Sequence, residues 1–319
     1  MKKILYITPH LSTGGCPKYL EYKISKFKDN HFIYVVEWQD VTGGIFVVQR
    51  NAIRLMAGEN FYSLSEDKSE ILNIIESITP DIIHFEEIAE TFVDYKILKK
   101  IWNKSRNYLI YETTHSSLSS INDKTFLPDK WIFPSNYCVD RFNNKIGKSV
   151  PVEVFEMSLE TKNKKNKKEA RNRLGLEQDW IHVLNVGLFT QGKNQGELIE
   201  IAKNYLDKKV KFHFVGNQAG NFQDYWEPLM KNLPTNCVVW GERSDVDTFY
   251  EACDIFYFSS IFELNPLVVI EALSWNLPVL MRKIHTYGDK YDNNPNVSYL
   301  TNNLSINSNI LKEKINQLE

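Results

Sequence analysis

The sequence is short of the features that mark several large classes of protein. Only four of its 319 residues are cysteine, Cys16, Cys138, Cys237 and Cys253, and they lie far apart with no CxxC pair and no histidine cluster beside them. That spacing argues against a zinc ligand set and against a disulfide framework, and reads as buried or inert thiols in a reducing compartment. No stretch approaches the roughly 18 consecutive apolar residues of a membrane helix. The apolar run after Lys2 and Lys3 stops at Thr8-Pro9-His10, too early for the core of a secretory signal. An excess of either charge is missing too. The 38 basic and 40 acidic residues leave a formal net charge of −2, so no global field draws in nucleic acid or a membrane. The expected location is cytoplasmic.

What is present is the composition of an ordinary folded chain, 43% hydrophobic and 24% charged, at a length that suits two domains of about 150 residues. In the first half, short apolar runs read as strands at Ile4 to Thr8, Phe32 to Trp38, 81–85, Tyr108 to Thr113, 131–133 and 152–155, with a Gly14-Gly15 loop and a helix at Lys18 to Phe27 after the first. The second half repeats the pattern. Strands are expected at His182 to Val186, Val210 to Val215, 238–240, Ile255 to Phe258 and 278–280, and helices at Glu197 to Tyr205, Val246 to Ala252, Pro266 to Ser274 and Ile310 to Leu318. Continuous apolar strands alternating with helices predict parallel sheets covered on both faces, an α/β architecture. Between the halves lies a lysine-rich run, 161–168, which reads as a solvated linker or helix entry before it reads as a basic patch. A boundary ahead of it gives domains 1–158 and 159–319. Three second-half strands end in Gly187, Gly216 and Gly241. Either these are turn punctuation, or they keep the backbone clear for a ligand where open α/β sheets bind one.

The most informative stretch follows the strand Ile255 to Phe258. Asn265 is a good N-cap and Pro266 suits the first helical position, so a helix is expected to begin there. Its first free donors are the N–H groups of Leu267 and Val268, at the positive end of the helix dipole, an anion site suited to a diphosphate. Glu263 precedes that end and Glu271 lies within the helix. Carboxylates so placed can accept hydrogen bonds from sugar and ribose hydroxyls. The plainer alternative makes one a loop acid and the other a surface residue. Apolar neighbours on both sides of Glu271 place it near a buried face, where an unpaired carboxylate is costly.

Glu263 and Glu271, with seven residues between them, resemble the E-x7-E signature of the retaining glycosyltransferases of the GT-B fold, the large family numbered four. Further residues agree in order over roughly 4 to 280. Gly14-Gly15 resembles the family's glycine loop near the donor phosphates. His115 resembles its histidine near the reacting sugar, and Pro134-Ser135 its Pro-Ser late in the first domain. The run 187–194, with Gly187, Lys193 and Asn194, resembles the G-R-x4-K-G/N loop, while Gly216, Gly241 and Asp254 match later positions. There are departures. Leu188 stands where the family carries an arginine on the donor diphosphate, leaving Lys193, with Arg243 or Lys18 as possible helpers. Pro266 and Asn276 replace glycines.

The resemblance implies two Rossmann-like, doubly wound parallel-sheet domains facing a cleft, the first on the acceptor side and the second binding the donor, with the last helix packing back on the first. It implies sugar transfer from a nucleoside-diphosphate sugar, with retention and without a metal or other cofactor. Glu263, His115 and Lys193 would act at the reaction centre. Donor binding would involve Gly14, Gly15, Gly187, Lys193, Asn194, Gly216, Gly241, Arg243, Asn265, Leu267, Val268 and Glu271. A nucleotide-sugar epimerase of the same fold and a catalytically silent sugar-nucleotide-binding subunit are the alternatives, the second favoured by Leu188. The acceptor is open among a glycan, a lipid-linked sugar, a small molecule and a nucleic-acid base, and no obligate protein partner is implied. Asp245-Val246-Asp247 is formally a metal-binding D-x-D, but its place at a helix start is explained by capping. The basic amphipathic stretch 97–104 reads as an outer helix of the first domain, with weak membrane-surface contact as the other reading.

Overall fold

The computed structural model describes residues 1–115, 124–140, 150–162 and 166–318, and they divide into two compact units, Met1–Met157 and Ser158–Glu319. In the first unit β1 (Lys3–Thr8), β2 (Phe32–Glu37), β3 (Phe61–Ser63), β4 (Ile82–Phe85), β5 (Leu109–Thr113), β6 (Lys130–Phe133) and β7 (Val152–Val154) form one sheet in the order β3-β2-β1-β4-β5-β6-β7. In the second, β8 (Ile181–Val186), β9 (Val210–Val215), β10 (Cys237–Gly241), β11 (Ile255–Phe258), β12 (Val279–Arg282) and β13 (Val297–Leu300) follow the order β10-β9-β8-β11-β12-β13. Every pairing between them is parallel.

The alternation of side chains puts apolar residues on both faces of the central strands. Along β1, Leu5 and Ile7 enter one apolar cluster while Ile4 and Tyr6 enter another on the opposite side of the sheet. Along β11, Ile255 and Tyr257 face one cluster and Phe256 and Phe258 the other. Each sheet is thus sandwiched between helical layers, as its uninterrupted apolar runs require. In both sheets the chain order reverses beside the first strand, between β1 and β4 and between β8 and β11. That switch point opens a crevice at the carboxyl ends of the strands.

Some expected boundaries move. The first helix starts at Gly15, three residues before the first strongly patterned position, and the helix after β8 runs Gln195–Ala202 before tightening into a 3₁₀ turn at Lys203–Tyr205. The last helix spans Leu304–Asn316, because the Asn303 side chain caps it by accepting from the N–H groups of Ser305 and Ile306. Its Leu311 and Ile315 are buried in the second unit's core beside Leu198 and Ile201. Of the lysine-rich run, 163–165 lie outside the described residues. Lys162 pairs with Asp247 at 2.8 Å, and Lys167 opens the helix Lys167–Leu174. The stretch at 97–104 contributes Ile97, Leu98 and Ile101 to the first unit's core, with Trp102 stacked on Phe85, as an outer helix would. Strands β3 and β13 and the helices Val48–Ala57, Glu70–Ile78 and Gln223–Lys231 were not anticipated. Three or four residues are too few to show a period of two.

Candidate active site

In the second unit the candidate residues gather at the switch point. The loop after β8 carries Gly187, Leu188, Lys193 and Asn194, and the loop after the neighbouring β11 carries Glu263 and Asn265. Asn194 takes the left-handed conformation (φ 54°), which asparagine tolerates, and so turns the chain into the helix Gln195–Ala202. The two loops are stitched by backbone: Ile261 N–H donates to the Gly192 carbonyl at 3.0 Å, and the Ser259 hydroxyl donates to the Lys193 carbonyl at 2.8 Å. Held this way, the Lys193 ammonium donates directly to the Glu263 carboxylate. A cation and an acid predicted to serve opposite parts of a donor are therefore each other's partners.

The helix behind Glu263 spans Leu267–Ser274. Pro266 is its N-cap (φ −75°, ψ 93°) and no side chain caps it, which corrects the expectation that Asn265 caps and Pro266 is the first helical residue. The extended ψ of Pro266 delays the helix by one residue. The consequence for chemistry is small: Leu267 and Val268 become the first two helical residues, with N–H groups that lack intrahelical acceptors. Glu271, one turn in, accepts from the buried Tyr250 hydroxyl at 3.0 Å. At the helix end Asn276 is left-handed (φ 54°), as the replacement of glycine there predicts.

Three buried polar atoms around these strand ends have no hydrogen-bond partner among the described residues: Gln195 Oε1, Asn217 Oδ1 and Ser260 Oγ. Native proteins rarely leave such atoms alone, so a polar ligand or water is expected there. The strand-end glycines prove to have a structural reason as well. A Cβ on Gly216 would lie 2.0 Å from the Gly187 carbonyl oxygen, so Gly216 is glycine because two backbones touch, whereas Gly241 has open space. Arg243 gives its Nε and Nη2 to Asp245, both at 2.8 Å. Asp247 accepts from Lys162 and from Trp275 Nε1, so both acids of the D-x-D already have cationic or N–H partners.

In the first unit Gly14 and Gly15 start the helix Gly15–Phe27 after β1, and His115 follows β5. Beneath His115 lies a buried polar network that sequence reasoning missed. Lys23 donates to both Glu86 oxygens (2.8 and 3.1 Å) and to Thr113 Oγ1 (2.8 Å), and its ammonium stands 3.3 Å from His84 Nε2. The Nε2 edge of His115 is directed at Glu86, 3.8 Å away. Burial pushes His84 down to about 3, helped by the Lys23 charge, so it stays neutral and can accept at Nε2 from the Thr113 hydroxyl at 2.8 Å. Burial also opposes a charge on His115, but the Cys16 side chain and the Glu86 carboxylate outweigh it and raise the imidazole to about 10. The raised value favours the charged imidazole, with both ring nitrogens as donors. The only clue in the sequence was Lys23 itself, a lysine four residues after Tyr19 on an inward helix face.

A raised pKa in the folded state means stability that is complete below the unfolded value of about 6.5 and is lost as pH rises through about 10. Thermal melts from pH 6.5 to 10 should therefore show a steeper loss for the wild-type chain than for His115→Gln. Parallel curves would refute the cationic assignment.

The fold has counterparts in known structures. The chain superposes on crystal structures of Anabaena HepE in complex with UDP and glucose (TM-score 0.77, 16% identity, 99% of this chain and 90% of that one) and of WaaG, a glycosyltransferase involved in lipopolysaccharide biosynthesis (TM-score 0.66, 12% identity, 98% and 90%). The fold is GT-B. In sequence, 240 residues are 26% identical to an uncharacterized glycosyltransferase of Methanocaldococcus jannaschii, covering 66% of this chain and 57% of that protein. In a separate match, 122 residues are 28% identical to the processive diacylglycerol alpha-glucosyltransferase of Acholeplasma laidlawii, covering 37% of this chain and 36% of that protein. The matches thus span little more than half the length of the first relative and about a third of the second. Residues 166–318, nearly the whole second unit, match the family model of glycosyl transferases group 1.

Proposed function

We propose that this chain transfers a sugar from a nucleoside-diphosphate donor to an acceptor, with retention at the anomeric carbon and without a metal ion. The observation that carries the reading is the Lys193–Glu263 pair at the switch point, set directly before the N-terminus of the helix Leu267–Ser274. An arriving donor offers each member a better partner. Its diphosphate takes the Lys193 ammonium and the N–H groups of Leu267 and Val268, while its sugar hydroxyls donate to Glu263. Positive groups then face the leaving phosphate, where charge grows as the glycosidic bond breaks. Glu271, which accepts from Tyr250, would accept from the ribose, and Gly14, Gly15, Asn194 and Arg243 remain secondary candidates for the donor. His115, as a cation, would bind and orient rather than remove a proton. The E-x7-E spacing supports retention, and the cationic helix end supports chemistry without a metal.

UDP and UDP-glucose are suitable first probes, since HepE is seen with UDP and glucose. UDP should raise the melting temperature, because a ligand that binds only the native state stabilises it by about 2.7 kcal/mol at a hundred times its Kd. UDP release from UDP-glucose should continue in EDTA. The proposal fails if none of the common nucleoside diphosphates shifts the melt, and an epimer without sugar transfer would place the chain with the epimerases.

A further inference from the structure

The loops that carry Lys193 and Glu263 both hang from one buried ion pair. Arg282, the last residue of β12, donates through Nη1 to the Ser259 carbonyl and through Nη2 to Glu197, in the first turn of the helix that follows the Lys193 loop. Both side chains are 9% exposed. Glu197 is saturated with donors from four places: Arg282, the Tyr257 hydroxyl of β11 at 2.7 Å, Asn307 Nδ2 of the last helix at 3.2 Å and Asn194 Nδ2 at 3.3 Å. From Ser259 the chain of bonds continues to the Lys193 carbonyl at 2.8 Å. On the other side the Tyr287 hydroxyl donates to the Arg282 carbonyl, and the adjacent Thr286 hydroxyl donates to the Glu263 carbonyl.

A purely apolar contact of similar volume would stabilise the fold at least as well, because burying two charges costs about as much as their attraction returns. What the Arg282 guanidinium adds is fixed direction, since its planar group holds Nη1 on the Ser259 carbonyl and Nη2 on Glu197 at once, while its buried Nε has no partner among the described residues. Here the fixed directions lead to the backbones of the two residues that would meet the donor. Resting on the reading of Lys193 and Glu263 given above, we infer that Arg282 and Glu197 are positioning residues that set the Lys193 ammonium against the Glu263 carboxylate for sugar transfer. Neither residue touches the donor in this role.

The test uses the full chain with UDP-glucose. Glu197→Gln keeps the shape and the Tyr257 bond but removes the charge. A positioning defect of an ångström can reduce turnover about 10²-fold, so kcat should fall by about that much while the KM for UDP-glucose changes less than about threefold. In a Lys193→Ala background the same substitution should add little, because the group being positioned is gone. Arg282→Lys, which keeps the charge, should retain more activity than Arg282→Met. Hydrogen exchange gives a second arm that needs no substrate: Glu197→Gln should speed exchange at 190–194 and 259–264 and leave β9 unchanged. An unchanged kcat, or a loss that is fully additive with Lys193→Ala, overturns the inference, and so does unaltered exchange in both loops. If the wild-type chain neither binds UDP nor turns over UDP-glucose, the functional reading falls, and the exchange arm still decides whether the pair holds the two loops together.

Discussion

Glu263→Ala should lower sugar transfer by about 10²–10³-fold while UDP binds as tightly as to the wild-type chain, or more tightly. Lys193→Ala should lose both. The asymmetry follows from the ion pair between these residues. UDP carries the diphosphate but not the sugar, so it competes with Glu263 for the Lys193 ammonium and has nothing to offer the carboxylate. Deleting Glu263 frees a cation that is 31% exposed and already solvated, at little cost to folding, and removes the competitor for the phosphate. The rate still falls, because the sugar hydroxyls lose their acceptor in the transition state. Deleting Lys193 removes a charged hydrogen bond to the phosphate, typically worth about 1.5–3 kcal/mol, or roughly 10- to 100-fold in Kd. Titration calorimetry with UDP and turnover of UDP-glucose measure the two effects separately. Full activity in Glu263→Ala, or wild-type UDP affinity in Lys193→Ala, would reject the site.

Much of this was legible before any coordinates. Both sheets were visible because parallel strands buried on two faces are written as mostly apolar runs, unbroken at Ile255 to Phe258 and at Ile4 to Ile7. The helix behind Glu263 was visible because proline after asparagine and before Leu-Val-Val-Ile marks a start, and only its first residue was misplaced. The sequence could not show which partner each charged residue meets in the folded chain. Lys193 and Glu263 are 70 residues apart and meet only because β8 and β11 are neighbours in the sheet. Arg243 looked available for phosphate, yet its fork is engaged by Asp245 two residues away. Lys23, Glu86 and His84 carry no spacing signal, since their meeting depends on a helix packing over β4. Arg282 and Glu197 were passed over for the same reason: a strand end and a helix start 85 residues apart become partners only through tertiary structure. Local pattern reports elements, and long-range pairing reports function.

Gly216→Ala should prevent the second unit from folding. The added Cβ would sit 2.0 Å from the Gly187 carbonyl oxygen and 2.5 Å from its carbon, against a φ of +147° that side chains rarely adopt. Neither backbone can retreat easily. Gly187 N–H donates to the Val215 carbonyl at 2.9 Å and Gly216 N–H to the Gly241 carbonyl at 2.8 Å, so relief requires breaking ladder bonds at the ends of β8, β9 and β10 together. Core overpacking by one methyl usually costs about 1–3 kcal/mol when side chains can shift. A clash with pinned backbone belongs at about 4 kcal/mol or more, a large part of the 5–15 kcal/mol that holds a domain folded. Gly192→Ala is the matched control, because its nearest new neighbour is the Thr190 hydroxyl at an ordinary 3.8 Å. Denaturant melts followed by tryptophan fluorescence, with limited proteolysis to locate the unfolded part, should find residues 158–318 cut in Gly216→Ala and protected in Gly192→Ala. A Gly216→Ala chain that melts like the wild type would mean that the backbones of Gly187 and Gly216 do not touch in solution. The switch-point crevice would then be wider than described, and the loop bearing Lys193 would start from a different place.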